Sequence, residues 1–199
     1  MTKNVKKVIG IAFLLIGMVF LSIPIYHEWS QGKEVRALEN ALSLISESDG
    51  KNIDLSKIEN LSFTEDEVVE VLELEIPSID LKQYVLNKTT EENLTIALTQ
   101  IKDKQTPGVG NFTIAGHRGY RPNRHFNRLS EVEIGDEVLL HTPNRIYIYK
   151  VFSTKVIEPT DVAILDDQEG KTEITLITCT ITGERRVAVK GELIETLDQ

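Results

Sequence analysis

The sequence has a single cysteine, Cys179, among its 199 residues. One cysteine excludes an internal disulfide framework, a four-cysteine zinc site and a CxxC redox pair. Basic residues are also few, because 22 Lys and Arg stand against 31 Asp and Glu and give a formal net charge of −9. An acidic chain lacks the positive surface that binds nucleic acid, so we expect no nucleic-acid partner. An apolar content of 41%, with only 6 Pro and 12 Gly, excludes a disordered chain.

Metal-binding motifs are missing as well. The sequence contains no HExxH segment and no paired Cys/His spacing. Several acids in the segment 161–170 have the chemistry of calcium ligands, but such a run is more typical of a solvated loop. We therefore expect no metal ion.

A long apolar run lies near the N-terminus. Residues 8–25 contain no charged side chain, and at ~1.5 Å per residue a helix over them spans ~27 Å, close to the ~30 Å hydrocarbon core of a membrane. Lys3, Lys6 and Lys7 precede the run and acids follow it, which predicts a cytoplasmic N-terminus and an extracytoplasmic remainder. No small-x-small cleavage site follows, so residues 1–27 are predicted to be an uncleaved signal anchor and not a cleaved signal peptide.

Residues 28–70 form an acidic segment. They hold 11 acids and 4 bases, so −7 of the formal charge of −9 lies here. Apolar residues recur at helical spacing from Val35 to Ile45, which predicts that a helix continues past the anchor and ends at Ser-Asp-Gly, residues 48–50. We interpret the segment as a spacer with a helical stalk; an appendage packed on the following domain is the alternative.

From Val71 onward the pattern changes to strands. Alternating or β-branched runs between turn residues predict about eight short strands. The clearest of them cover 111–117, 137–141, 145–157, 173–179 and 186–193. Thr90, a capping residue followed by acids, predicts a short helix over 91–101. Short strands at close spacing indicate a mostly β domain over 71–199, either a barrel or a sandwich.

Cys179 ends the β-branched segment TEITLITC, where a rigid strand can display a reactive group. A free cysteine is also a common buried apolar residue, and from the pattern alone that interpretation stays open. As a nucleophile it needs a base or a cation beside it, because an unperturbed thiol is mostly protonated at pH 7. His117 closes the apolar segment FTIAGH and is the best-placed base; a strand-end histidine with a structural role is the alternative.

A cation is expected across the next turn. The last two predicted strands are joined by six residues, which predicts an antiparallel pair. Alternation places Arg186 on the face opposite to Val187 and Val189. Since the valines should face the core, Arg186 is the arginine expected in a groove near Cys179, where a guanidinium can stabilise an oxyanion. Arg185 is the second candidate.

The other histidines have simpler interpretations. His27 lies at the membrane edge, and His141 precedes a turn at a strand end. His125 lies in a polar loop and is predicted to be solvated or half-packed.

Three segments resemble the signature segments of sortases, the cysteine transpeptidases of Gram-positive bacteria. They are TIAGHR at 113–118, TLITC at 175–179 and RVAVKGEL at 186–193. The resemblance covers roughly 71–199 in order and spacing, and an N-terminal anchor fits the usual topology of the family. It implies an eight-stranded β-barrel with short helices, preceded by a transmembrane helix and an acidic stalk.

The resemblance also assigns roles to individual residues. It implies that Cys179 is the nucleophile, His117 the acid–base partner, and Arg186 the residue that orients the substrate and supports the oxyanion. The candidate substrate-binding residues are Thr178, which would shape the pocket beside the cysteine, and the apolar Ala115 and Ile177.

The implied reaction cleaves an LPxTG-like sorting motif after Thr through a thioacyl enzyme. The acyl group then passes to an amine of a cell-wall precursor of the lipid II type, and no cofactor is implied. The chain lacks a lid motif and a second, C-terminal membrane segment, so it resembles classes A and D, and HFNRL after the histidine is similar to class D. Two alternatives stay open: a Cys–His peptidase that hydrolyses, and a tethered, non-catalytic binding barrel.

Overall fold

The computed structural model describes residues 3–47, 55–120 and 124–199. Contacts within the chain define two compact units, residues 1–63 and residues 64–199. Residues 64–70, which the sequence pattern grouped with the acidic segment, therefore belong to the strand-rich unit.

The first unit is built on one long helix, α1 (Lys3–Glu47), which contains Pro24. The side chains described over residues 8–25 are exposed on every side of the helix. The apolar stretch has a mean hydropathy of 2.7, and among the described residues α1 alone is long and apolar enough to cross a membrane. A uniformly apolar, unburied surface is what a hydrocarbon environment requires of a helix and what water penalises.

Beyond the apolar stretch, α1 presents one buried face. Ala37, Leu38 and Ala41 are at most 3% exposed, at the spacing of one side of a helix. A 3-10 turn at Leu55–Lys57 follows in the same unit. The helix end predicted at 48–50 lies outside the described residues.

The second unit begins with a capped helical turn, α2 (Glu65–Val69). The Thr64 hydroxyl accepts a hydrogen bond from the Glu67 N–H, and the Glu67 carboxylate accepts one from the Thr64 N–H at 2.9 Å. This reciprocal capping satisfies two donors that a helix start leaves unpaired. Hydrogen bonds from the Thr64 N–H and from the Thr64 hydroxyl to the Glu67 carboxylate lower the pKa of Glu67.

Eight strands follow: β1 (Leu72–Ile76), β2 (Leu81–Leu86), β3 (Leu98–Gln100), β4 (Asn111–Ala115), β5 (Glu137–His141), β6 (Arg145–Ile157), β7 (Glu173–Cys179) and β8 (Arg186–Asp198). They close into a barrel in the order β1-β2-β3-β4-β7-β8-β6-β5. A short helix, α3 (Glu91–Ile96), joins β2 to β3. The eight-stranded barrel with short helices is confirmed.

Alternation along the strands fills the barrel. In β1, Leu72, Leu74 and Ile76 are buried while the two glutamates between them are half-buried on the other face. Tyr149, Phe112 and Phe126, at 0% exposure, are the largest side chains in the core. Each fully buried apolar side chain contributes about 1.5–3 kcal/mol, so the period-two pattern is the main energetic reason for the fold.

The prediction for α3 was wrong in its second half. The helix ends at Ile96 instead of 101, because Ala97 is extended (φ −148°, ψ −175°) and β3 follows at once. Strand β3 pairs with β2 on one side and β4 on the other. All three of its residues are buried, so it has no polar alternation by which a sequence pattern could reveal it.

The last strand is longer than predicted. Strand β8 continues to Asp198, because its pairing with β6 extends to the pair Arg145 and Asp198. The guanidinium of Arg145 and the carboxylate of Asp198 also form an ion pair of 3.0 Å. The opposite end of β8, at Arg186, pairs with β7 and holds part of the site described next.

Candidate active site

Cys179 is the last residue of β7 and is half-buried. Along this strand Ile177 and Cys179 are half-buried, whereas Thr178 between them is 2% exposed. Cys179 therefore lies on the outer face of the barrel wall, not in the apolar core. A thiol in this position can be reached from outside while a rigid strand holds it.

Arg186 lies directly opposite Cys179. The antiparallel register of β7 and β8 pairs these two residues, and directly opposed side chains on one face have Cβ atoms about 4.5–5.5 Å apart. The next residue, Val187, is 6% exposed and packs in the core. In the free protein the Arg186 guanidinium donates hydrogen bonds to the carbonyls of Gly183 and Arg185, in the loop between the two strands.

Arg185 has a different place. It precedes β8, its side chain is 60% exposed, and its guanidinium forms an ion pair of 2.9 Å with Glu158. Adjacent arginines thus have separate surroundings, because one belongs to the strand and the other to the loop.

His117 follows β4 at the same edge of the sheet. Strands β4 and β7 are parallel, with Ala115 paired to Ile177, so their carboxyl ends lie side by side. The Gly116 N–H continues the ladder by donating to the Ile177 carbonyl at 3.1 Å. His117 and Cys179 each lie two residues beyond that pair. An exposed imidazole is thereby brought to the strand end that carries the thiol.

The outer face next to these groups is apolar. Ala115 and Ile177, the paired residues on β4 and β7, are both half-buried and share a face with Cys179. Thr178 does not share it: its hydroxyl donates to the Gly116 carbonyl at 2.8 Å, and it is buried. The Thr178 hydroxyl thereby joins the ends of the two strands.

A second histidine lies beside the first. The rings of His117 and His125 form a T-shaped pair, with centroids 6.4 Å apart and planes at 90°. His125 is 7% exposed, where a solvated or half-packed side chain was predicted. Burial lowers the pKa of His125 from 6.5 to about 4; Arg124 and His117 act in the same direction, against a hydrogen bond with the backbone of Thr95.

The burial of His125 follows from its neighbours in the sequence. Phe126 and Leu129 are both fully buried in the barrel core, so the turn that carries them packs inward. The Phe126 N–H donates to the His117 carbonyl at 3.0 Å and ties that turn to the end of β4. Within HFNRL, the apolar residues Phe126 and Leu129 are three positions apart. That spacing could have indicated that the turn packs inward and buries His125 with it.

One group of possible metal ligands occurs among the described residues. Glu73, Glu75 and His141, on β1 and β5, have ligand atoms within 4.8 Å of one another. These groups are already paired: Lys82 lies 2.7 Å from Glu73, and the His141 Nε2 lies 3.2 Å from Glu75. The cluster is on strands that do not adjoin β4, β7 or β8.

Comparison with known proteins identifies the family. The sequence matches the family model described as Sortase domain over residues 74–194. Sortase A of Bacillus anthracis is 27% identical over 206 residues, covering 98% of this chain and 97% of that protein. Sortase A of Listeria monocytogenes is 31% identical over 208 residues, covering 96% and 92%. The solved structure of sortase A from Listeria monocytogenes aligns with a TM-score of 0.61 at 32% identity, covering 64% of this chain and 89% of that one.

The barrel therefore has a clear class, that of the cell-wall sorting transpeptidases. The chain belongs to the sortase family. Members of this family attach proteins to the cell wall by transpeptidation, and the resemblance stated from three sequence segments is confirmed.

Proposed function

We propose that this protein is a membrane-anchored sortase of the class A or class D type. It cleaves an LPxTG-like sorting motif after Thr through a thioester on Cys179 and transfers the acyl group to a cell-wall amine of the lipid II type. The observation that carries the proposal is the direct cross-strand pairing of Cys179 on β7 with Arg186 on β8. His117 follows β4 at the same end of the sheet.

The first half of the reaction forms the thioester. The Cys179 thiolate attacks the Thr carbonyl carbon, and the developing oxyanion is stabilised by the Arg186 guanidinium, which carries a permanent charge and several N–H donors. As the peptide C–N bond breaks, protonated His117 gives its proton to the leaving amine. The charge on Arg186 stabilises the transition state more than the neutral substrate, which is the condition for catalysis.

The second half transfers the acyl group. The acceptor amine attacks the thioester carbonyl, gives up its proton to His117, and releases the thiolate of Cys179. The starting protonation states are restored, so the kinetics are those of a double displacement. Ala115 and Ile177 offer an apolar surface beside the thiol on which the peptide rests in an extended form.

The membrane anchor is part of the proposal. Residues 1–27 would span the membrane with the lysines inside, and the rest of the chain would lie outside the cell, where sorting-signal proteins emerge. The support is the unburied apolar stretch of α1, with its mean hydropathy of 2.7. Residues 28–63 would act as the spacer between membrane and barrel.

The test is direct detection of the acyl enzyme. The full chain in detergent micelles is incubated with an LPxTG-type peptide, and intact mass spectrometry is used to look for the acyl adduct. We expect an adduct on wild-type protein and none on Cys179→Ala, and addition of triglycine should convert it to a ligated product. Hydrolysed peptide alone in the presence of triglycine would indicate a peptidase. A chain with no adduct, whose Cys179 also resists alkylation while folded, would be a binding module.

A further inference from the structure

His125 holds an unusual position for a polar residue. It is 7% exposed, and its ring lies 6.4 Å, centroid to centroid, from that of His117 in a T-shaped pair. This separation and the 90° angle are within the range of aromatic contacts that favour a defined mutual orientation. A buried imidazole is thus in contact with the exposed imidazole to which we assign acid–base chemistry.

The Nδ1 atom of His125 is buried and has no hydrogen-bond partner. Such an atom costs about 1–3 kcal/mol relative to a paired one, and in native structures it calls for an explanation. The ring is uncharged at neutral pH, since burial lowers its pKa to about 4. An uncharged imidazole that carries its proton on Nε2 has an acceptor lone pair on Nδ1.

The backbone at His125 is also in a costly conformation. Its φ is +52°, in the left-handed region that side chains other than glycine rarely adopt. Such a residue costs about 1–2 kcal/mol and is a reason to look for a functional constraint. The constraint is visible on both sides: the His125 ring contacts the His117 ring, and the next N–H, of Phe126, donates to the His117 carbonyl at 3.0 Å.

From these observations we propose that His125 is a positioning residue for His117. Its neutral Nδ1 accepts a hydrogen bond from the His117 ring when that ring carries the proton for the leaving amine. This inference rests on the proposed function. Where a nucleophile works with a base, a third group commonly orients the base, and His125 is that group here. Catalytic hydrogen bonds of this kind are commonly long or poorly aligned in the free protein and reach full strength only in the substrate complex.

The surroundings of His125 suit this role. Arg124 and His117 are the charged or titratable groups that act on its ring, and both disfavour a proton on it. The side-chain oxygen of Gln83, on β2, accepts a hydrogen bond from the backbone N–H of His125 at 3.4 Å. A neighbour that stays neutral can accept from a protonated His117, whereas a protonated one would repel it. The charge-assisted bond then gains strength as His117 gains its proton.

The test replaces the acceptor but keeps the ring. In His125→Phe an aromatic ring remains in the buried position, and both ring nitrogens are lost. We expect kcat for transpeptidation to fall about tenfold with KM for the sorting peptide within about twofold, because orientation of the acid is lost and peptide binding is not. The thermal midpoint should be unchanged or higher, since an unpaired buried polar atom has been removed. A purely structural role predicts the reverse, lower stability with unchanged kcat.

Nuclear magnetic resonance supplies a readout that needs neither substrate nor variant. On ¹⁵N-labelled wild-type chain in detergent micelles, an N–H of the His117 ring should become visible and protected from solvent exchange once that ring is protonated. An exposed ring without an acceptor would lose this signal to exchange, and its absence in wild-type protein would overturn the proposal. Equal kcat for wild type and His125→Phe would also overturn it. If wild-type protein forms no acyl adduct at all, the proposed function fails, while the ring N–H signal still decides whether the two histidines bond.

Discussion

At the residue scale, the two adjacent arginines show how one position along a strand separates a functional group from a surface charge. Arg186 is paired with Cys179, whereas Arg185 is exposed and paired with Glu158 in the loop before β7. Alternation predicted this separation, because Val187 had to face the core. Their chemistry is identical, so the pair offers a matched test of position.

We expect Arg186→Ala to lower kcat for thioester formation about 10²–10³-fold, the usual effect of removing one oxyanion donor. Arg185→Ala should change it by less than about threefold, since an exposed ion pair contributes little. Single-turnover acylation followed by mass spectrometry measures both. Loss of activity in the Arg185 variant with retention in the Arg186 variant would exchange the roles.

Burial of His125 also predicts how stability depends on pH. The imidazole has a pKa of about 4 in the folded protein and an ordinary value of 6.5 when unfolded. The unfolded chain therefore takes up the proton first, and the stability present above pH 6.5 is lost as the pH falls toward 4. The difference corresponds to about 3 kcal/mol at most.

Denaturant unfolding between pH 7 and pH 4 measures this loss. We expect His125→Phe to lose less stability than wild type over the same range, because it has no imidazole to protonate at that position. Identical pH profiles for the two proteins would show that His125 is not the group responsible.

At the element scale, the end of β4 is where the site depends on close packing. A Cβ at Gly116 would collide with the side chain of Leu98 and come within 2.9 Å of Phe126 Cδ2. Gly116 also accepts from the Thr178 hydroxyl and donates to the Ile177 carbonyl. The close contacts leave no room for a side chain at the glycine of AGH. The backbone of the same residue joins the ends of β4 and β7.

Gly116→Ala should destabilise the barrel by about 1–3 kcal/mol, the usual cost of overpacking a core, and should displace His117 enough to reduce acylation. Gly32→Ala is the control, because its nearest neighbours would be Arg36 atoms at 3.8 Å and it lies in helix α1. Thermal unfolding and acylation rates measure both effects. A Gly116 variant as stable and active as wild type would contradict the packing argument.

The elements also show where sequence patterns lose information. Long alternating strands such as β6, and β5 beside it, were predicted with their observed bounds, because polar and apolar faces repeat every two residues. Strand β3 was missed, and its residues were predicted to be part of a helix. Its three residues are all buried, so they show no alternation between a buried and an exposed face. Its position comes from pairing with β2 and β4, which no local window contains.

At the scale of the whole molecule, one thiol allows the proposed topology to be tested directly. Cys179 is the sole cysteine in the sequence and is half-buried at the outer end of β7. A membrane-impermeant maleimide can therefore label only this residue. Its accessibility in intact cells reports on which side of the membrane the barrel lies.

We expect intact Gram-positive cells expressing the full chain to be labelled at Cys179, since the lysines before residue 8 should hold the N-terminus inside. The matched control is the double variant Thr2→Cys with Cys179→Ala, which should be labelled only after the membrane is opened. Labelling of both in intact cells, or of neither, would contradict a single span with the barrel outside.

What the sequence alone determined is local. The uncharged run of residues 8–25, the period-two strands and the three signature segments follow from the order of side chains, and they were sufficient to predict the barrel and to nominate Cys179, His117 and Arg186. Each is a property of one continuous stretch of the chain.

What only the tertiary structure decided is which distant groups meet. Strand register pairs Cys179 with Arg186, directs the Thr178 hydroxyl to the Gly116 carbonyl, and brings His125 against His117. The physical reason is that a change of one residue in register turns every side chain to the other face, and register depends on pairing between segments far apart in the chain.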